Sequence, residues 1–370
     1  MRSWPAYHAS ERRGAGILPI IKIRLIGWQG VAVRAFVVVG PGRAEVRDVA
    51  PPVPRIGEVI VDVERAGVCG TDAEFYSGHM AYLHSGDAAY PIRIGHEWCG
   101  VVSAVGAEVD NAWLGRRVTG DTMLGCGNCL RCLSGRQHLC ADRFEIGIRG
   151  GWPGALAEQL PVPVRALHPL PDSVDATLGA LVEPGGNALR VVEAAALTPT
   201  SRLLVLGPGT IGLLAAQIAA ARGAEVHLLG RDEPSLAFAR GLGFAHTWRL
   251  TDLPDDLAFD AVVDATNAAD LPGFAVRRVE PGGRVVYIGL AEAPSLVDSR
   301  DLVLKDVTAV GVLSASGGLS GTIELYATGT VDPRPLVAAT VGLAEAADVL
   351  AGGRPPAWGA APKIHVDPRR

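Results

Sequence analysis

Four cysteines fall within fifteen positions, as Cys126-x2-Cys129-x2-Cys132-x7-Cys140, in a chain of 370 residues that has six cysteines in all. Four thiolates at short, fixed spacing suit a closed tetrahedral zinc site, because a borderline-soft ion without directional d-electron preference needs only four close donors. Unrelated buried thiols would not cluster in this way, and nothing else in the chain points to the oxidising setting that loop disulfides need. The expectation is a structural zinc lobe. Such a lobe pins an irregular loop and narrows the folds open to the rest of the chain.

A second set of donors precedes it. Cys69-Gly70-Thr71-Asp72 and Gly95-His96-Glu97 supply a thiolate, an imidazole and carboxylates. One sulfur and one ring nitrogen far apart in sequence match a catalytic zinc that keeps a position open for water or substrate. Asp72 is expected to accept the second N–H of His96 and so fix its tautomer. Thr71 offers a hydroxyl that can pass on a proton.

These motifs, with Glu183-Pro184 and Gly207-x-Gly209-x-x-Gly212, occur in the order found in the zinc-containing medium-chain alcohol dehydrogenases. The chain resembles that family from about Val33 to Pro368, in the branch of threonine, sorbitol and glucose dehydrogenases. The resemblance implies a GroES-like β-barrel catalytic domain joined to a Rossmann doubly wound parallel sheet, an α/β architecture. It also implies that Glu183 lies near the catalytic zinc. Glu183 and Glu97 would complete Cys69 and His96, one acid bound directly and the other directly or through water.

Composition bounds the rest. Two domains suit 370 residues, and a net charge of −5 gives no electrostatic case for nucleic acid or an anionic membrane. Zinc-bound thiolates imply a reducing compartment, so a cytoplasmic location is expected. Cys99, outside both sets, reads as a small buried residue in a strand. Lys22, Lys305 and Lys363 are the only lysines, which we read as base composition. No uninterrupted apolar run reaches the length of a membrane span. Residues 1–32 carry Arg2, Arg12, Arg13, Lys22 and Arg24 against Glu11 and read as a disordered extension. The catalytic domain is expected over 33–170, the nucleotide domain over 171–339, and a return to the catalytic domain over 340–370.

Within 33–170, short strands separated by glycine turns, such as Val59, Val61 and Val63 in alternation, argue for a barrel. The loop from Phe75 to Pro91, rich in tyrosine and histidine, either lines a substrate pocket or is a surface loop anchored by its aromatics. Beyond Arg202 the pattern becomes strand, glycine turn, helix. Gly207, Gly209 and Gly212 between a buried strand and a helix beginning near Thr210 and Ile211 form a dinucleotide fingerprint, with pyrophosphate at the helix N-terminus. The end of the second strand reports the nucleotide. Gly230 stands where an NAD-preferring site places an acid, and Arg231 follows, so NADP is favoured over NAD. Asp232 and Glu233 count against this if either reaches the ribose.

The resemblance implies reversible oxidation of an alcohol, in a polyol, sugar such as glucose, or cyclitol, with NAD(P) as acceptor. One catalytic and one structural zinc per chain, Thr71 starting a proton relay, and a homodimer or homotetramer belong to that picture. Many relatives have histidine five positions after the first zinc ligand; here Glu74 stands there, as in glucose dehydrogenases. Two alternatives are an amino-alcohol substrate (threonine or an aminocyclitol) and a catalytically inactive nucleotide-binding scaffold or regulator. The second needs only the four-cysteine lobe and leaves Cys69, Thr71, His96 and Glu183 without a purpose.

Overall fold

The computed structural model describes residues 32–370. The extension expected over 1–32 therefore lies, but for Ala32, outside the described residues. The chain opens with a hairpin, β1 (Val33–Gly40) and β2 (Arg43–Val49), then the long strand β3 (Glu58–Val68) and two short helices, α1 (Gly70–Ser77) and α2 (Ala81–Ser85). Next come β4 (Glu97–Val105), β5 (Arg117–Gly120), and the cysteine segment with β6 (Met123–Leu124), α3 (Leu130–Leu133) and β7 (Phe144–Glu145). Strands β8 (Gln159–Pro163) and β9 (Leu167–Pro169) finish this part.

Val59, Val61 and Val63 on β3 are fully buried. They pack with Phe36, Phe75, Ile94, Trp98 and Leu156 into one apolar core. Full burial of each such side chain is worth roughly 1.5–3 kcal/mol, so the alternation fixes which face of β3 turns inward. Strand β3 pairs with β4 on one edge, and with β8 and the C-terminal β17 (Lys363–Val366) on the other. With β16 (Val337–Val341) the sheet order is β16-β17-β3-β4-β5-β9, so the last strands of the chain complete the sheet that β3 begins, while β1 and β2 form a separate two-stranded sheet.

Helices α4 (Ala176–Ala180) and α5 (Val182–Ala195) lead into the second sheet. There β10 (Arg202–Leu206), α6 (Thr210–Ala221), β11 (Glu225–Leu229), α7 (Glu233–Gly241) and β12 (His246–Trp248) alternate. They are followed by β13 (Phe259–Asp264), α8 (Leu271–Arg278), β14 (Val279–Tyr287), α9 (Ser299–Leu304), β15 (Thr308–Gly311) and α10 (Leu319–Ala327). All six strands run parallel in the order β12-β11-β10-β13-β14-β15. Leu203 and Val205 pack on one face with α5 and α6, and Leu204 and Leu206 on the other with α8. A sheet covered on both faces explains the near-continuous apolar strands. The order reverses between β10 and β13, which opens the crevice where such folds bind nucleotides. The chain then returns through β16 (Val337–Val341) and α11 (Ala346–Leu350) to β17. Among the described residues no helix is long and apolar enough to cross a membrane.

Candidate active site

The end of β3 delivers Cys69 to the N-terminus of α1. Asp72, in the first turn, reaches back to accept the Cys69 backbone N–H at 2.9 Å and also accepts the Gly95 N–H at 3.0 Å. One buried carboxylate thus holds both backbone segments that carry the donors. This corrects the expected role of Asp72: its Oδ1 is 3.6 Å from His96 Nδ1, beyond a hydrogen bond, and that nitrogen has no partner. Each carboxylate oxygen instead accepts one backbone N–H. Burial opposes the charged form of His96, but the neighbouring Asp72 and Cys69 outweigh it and hold the imidazole well above its ordinary value.

Cys69, His96 and Glu97 bring ligand-capable atoms within 4.8 Å of one another. Glu97 starts β4 and is almost fully buried. Gly67 across the strand pair makes its room: a Cβ there would lie 2.0 Å from Glu97 Oε2. Lys363 of β17 donates to both carboxylate oxygens, at 2.8 and 2.6 Å, and to the Val68 carbonyl at 2.9 Å. Glu183, in the first turn of α5, is also buried, and Asn187 one turn on donates to its Oε1 at 3.0 Å. Burial raises Glu183 to about 7; His96 opposes the rise and Glu97 adds to it. Glu183 is not in the group whose donor atoms meet within 4.8 Å, which holds Cys69, His96 and Glu97. Thr71 lies on α1 and is half-buried.

Sequence reasoning passed over Lys363 and Gly67. The signals were a lysine inside a strand of an arginine-dominated chain, and a glycine inside a strand, which often marks a close approach. Lys363 and Glu97 form a buried pair at 2.6 Å, with side chains 3% and 1% exposed. Removing one partner strands the other's charge away from water. Lys363→Met should therefore lower the unfolding free energy by roughly 3–5 kcal/mol, while adding Glu97→Gln should recover most of it. Denaturant titration of both variants checks this. A single variant as stable as wild type would mean that another group neutralises Glu97.

The four-cysteine segment forms a separate lobe. Cys126 Sγ and Cys132 Sγ are 3.9 Å apart, and Cys129 Sγ and Cys140 Sγ 3.8 Å. Four sulfurs about 2.3 Å from a central zinc would be about 3.8 Å apart, so the donors fit the ion. No disulfide joins them. Backbone N–H groups of Asn128 and Cys129 pull the Cys126 thiol down to about 7, while burial pushes the Cys132 thiol up to about 11. Asp121 links lobe and nucleotide domain, accepting from Gln137 at 2.7 Å and Ser316 at 2.8 Å. In the Phe75–Pro91 segment Tyr82 donates to Glu145, Tyr90 to the Phe75 carbonyl and Tyr76 to the Gly42 carbonyl.

A third cluster, Glu225, His227 and His246, also brings donors together. The Trp248 indole N–H, which can only donate, bonds His227 Nδ1 at 3.0 Å. The proton of the neutral ring therefore sits on Nε2 and bonds Glu225 at 2.8 Å, leaving that nitrogen no lone pair for a metal.

At the crevice, Gly207 follows β10 with φ +93°, and a Cβ on Gly212 would lie 1.9 Å from the Gly207 carbonyl oxygen. Gly209 caps α6 and has open space before it, so the N–H groups at the start of the helix, from Thr210 and Ile211 onward, face a cradle that a pyrophosphate fits. Gly230 is buried against Leu236 and Pro208, where a Cβ would meet atoms at 2.7 and 3.0 Å. Asp232 is occupied as the N-cap of α7, accepting the Ser235 N–H at 3.0 Å, and Glu233 pairs with Arg240. Arg231 is exposed.

Known proteins agree with this geometry. The family profile "Alcohol dehydrogenase GroES-like domain" matches residues 55–172, and "Zinc-binding dehydrogenase" matches 210–328. A 2-dehydro-3-deoxy-L-galactonate 5-dehydrogenase of Pseudoalteromonas atlantica is 32% identical over 313 residues, 80% of this chain and 88% of that protein. An L-threonine 3-dehydrogenase of Mesorhizobium japonicum is 30% identical over 273 residues, 70% of this chain and 78% of that one. An alcohol dehydrogenase of Escherichia coli CFT073, solved with NADH, superposes with a TM-score of 0.83 at 25% identity, covering 91% of this chain and 100% of that one. The likeness runs through both sheets and the lobe between them, and on it the chain belongs to the zinc-containing medium-chain alcohol dehydrogenase family.

Proposed function

We propose that this enzyme oxidises, reversibly, one hydroxyl of a small polyol, sugar or cyclitol with NADP as partner, and holds one catalytic and one structural zinc per chain. The observation that carries the reading is the meeting of Cys69, His96 and Glu97 within 4.8 Å beside a helix that presents Thr71. Cys69, His96 and Glu97 would hold the catalytic zinc, with Lys363 fixing the Glu97 carboxylate and Glu183 bordering the same pocket. A zinc ion there supplies Lewis acidity that lowers the pKa of an alcohol hydroxyl. NADP supplies the hydride acceptor. Thr71 takes the hydroxyl proton and passes it toward solvent along the face of α1 it shares with Glu74, three residues on. Cys126, Cys129, Cys132 and Cys140 would hold the structural ion.

NADP is supported by the acids at the end of β11. Asp232 and Glu233, the two that could have bound a ribose, are committed to the cap of α7 and to Arg240. That leaves Arg231 beside the buried Gly230. The sugar reading draws on Glu74 and on the relative named for a sugar-acid derivative. The relative named for L-threonine favours an amino alcohol as the second reading. Assaying polyols, sugars, aldonic acids, L-threonine and aminocyclitols with each nicotinamide nucleotide, by absorbance of the reduced form, decides between them. Turnover of L-threonine alone would overturn the sugar reading.

A homodimer or homotetramer is supported at the open edge of the parallel sheet. Among the described residues strand β15 has no partner on its outer side, and Leu296, Val303 and Leu304, which precede it in the chain, are 92, 78 and 84% exposed. An unpaired edge flanked by apolar side chains favours a second copy. Leu304→Asp should shift the enzyme to monomer in sedimentation; a wild type already monomeric at micromolar concentration would refute this.

A further inference from the structure

Three turns lie side by side along the crevice because β10, β11 and β12 are neighbours in the sheet. Gly207, after β10, donates to the Leu229 carbonyl at 2.8 Å; Gly230, after β11, donates to the Trp248 carbonyl at 2.9 Å. Strands about 4.8 Å apart place the turn after β12 roughly 10 Å from the glycine cradle. In this fold pyrophosphate sits at the first turn and the adenosine ribose over the end of the second strand. A group on the ribose 2′-oxygen, pointing away from the pyrophosphate, then meets the turn after the third strand. Arg249 is the first residue there.

Its surroundings leave it available. Half of its side chain is exposed, at 50%, and its one acidic neighbour, Glu233, is 3.9 Å away. Glu233 is drawn more closely to Arg240, which also donates to Thr247 at 2.9 Å. The Asp232 carboxylate is turned to its own helix. Arg240 and Arg249 thus share Glu233, which Arg240 holds more closely, and Arg231 is exposed nearby in sequence.

We infer that Arg249 acts with Arg231 as a two-arginine clamp on the 2′-phosphate of NADP, making Arg249 a specificity-determining residue. The inference rests on the NADP reading above. Two guanidinium forks from adjacent strand ends contact one phosphate from different sides, which a single arginine beside a ribose does not. A 2′-hydroxyl offers them no charge, so the same pair adds little to NAD.

Calorimetric titration with 2′,5′-ADP and with 5′-AMP tests this without turnover. Arg249→Ala should weaken 2′,5′-ADP about tenfold or more, the worth of a charge-assisted contact, and leave 5′-AMP within about twofold. Arg249→Lys should recover part of the loss. If Arg231→Ala loses 2′,5′-ADP while Arg249→Ala binds it as wild type does, the clamp is overturned and the NADP reading stands. Equal loss of both ligands in Arg249→Ala would also overturn the clamp, since it marks a structural role. If wild type binds 5′-AMP as tightly as 2′,5′-ADP, the NADP reading itself fails.

Discussion

Cys69→Ala should give a folded enzyme carrying one zinc ion instead of two, with no turnover above background. The Cys69 backbone N–H bonds the Asp72 carboxylate and its carbonyl accepts the Asp72 N–H, so the helix and the Gly95 segment keep these anchors in the variant. What is lost is the soft donor of a three-donor set, and His96 and Glu97 alone do not make a catalytic zinc site. Cys129→Ala should behave in the opposite way. The short helix α3 buries no residue, so the lobe has no apolar core and depends on its metal for shape. Its loss should remove the other ion, lower the melting temperature and loosen Asp121–Gln137, the lobe's link toward Ser316. Elemental analysis with thermal unfolding separates the two variants. A wild type with a single zinc would end the two-site assignment.

Where a pattern is local, it could be read directly from the sequence. The Cys126–Cys140 spacing, the Gly207–Gly212 turn between strand and helix, and the valine alternation of β3 each encode their own geometry within a few residues. Glu183 was legible only through resemblance, because its burial depends on how α5 packs. The Asp72–His96 distance is not legible in the sequence, which shows a carboxylate near a histidine but not the two backbone N–H groups that orient it. The surroundings of the lysines are likewise invisible in the sequence. Lys305 donates to the carbonyls of Arg277 and Val279 at 2.7 and 3.0 Å, at the end of α8, and Lys363 to Glu97 and Val68. Both described lysines thus place a compact ammonium where several acceptors converge, a task for which a planar guanidinium is poorly shaped. Base composition bears on how few lysines there are and gives no sign of these positions, which suit the geometry of an ammonium group. Lys363 lies 266 positions from Glu97, and only the return of β17 to the first sheet joins them.

Thr71→Val should cut turnover by roughly 10²–10⁴-fold, the usual worth of positioned proton transfer, with nucleotide affinity unchanged. Valine keeps the branched shape and nearly the volume of threonine, so α1 should keep its place while losing one hydroxyl. Asp72 and Phe75 on α1 are buried, which turns that face into the barrel core. Thr71 and Glu74 lie on another face, three residues apart, as neighbours on the helix surface. Burial, and then the Glu292 carboxylate, raise the Glu74 carboxyl above its ordinary value, while His79 opposes the rise. Glu74→Gln should accordingly slow turnover less than Thr71→Val, because solvent can replace the outer group more easily than the inner one. The decisive measurement is kcat with deuterium at the carbinol carbon, which shows whether hydride transfer limits the rate. If that isotope effect is full in wild type and Thr71→Val still turns over at the wild-type rate, Thr71 does not handle the proton.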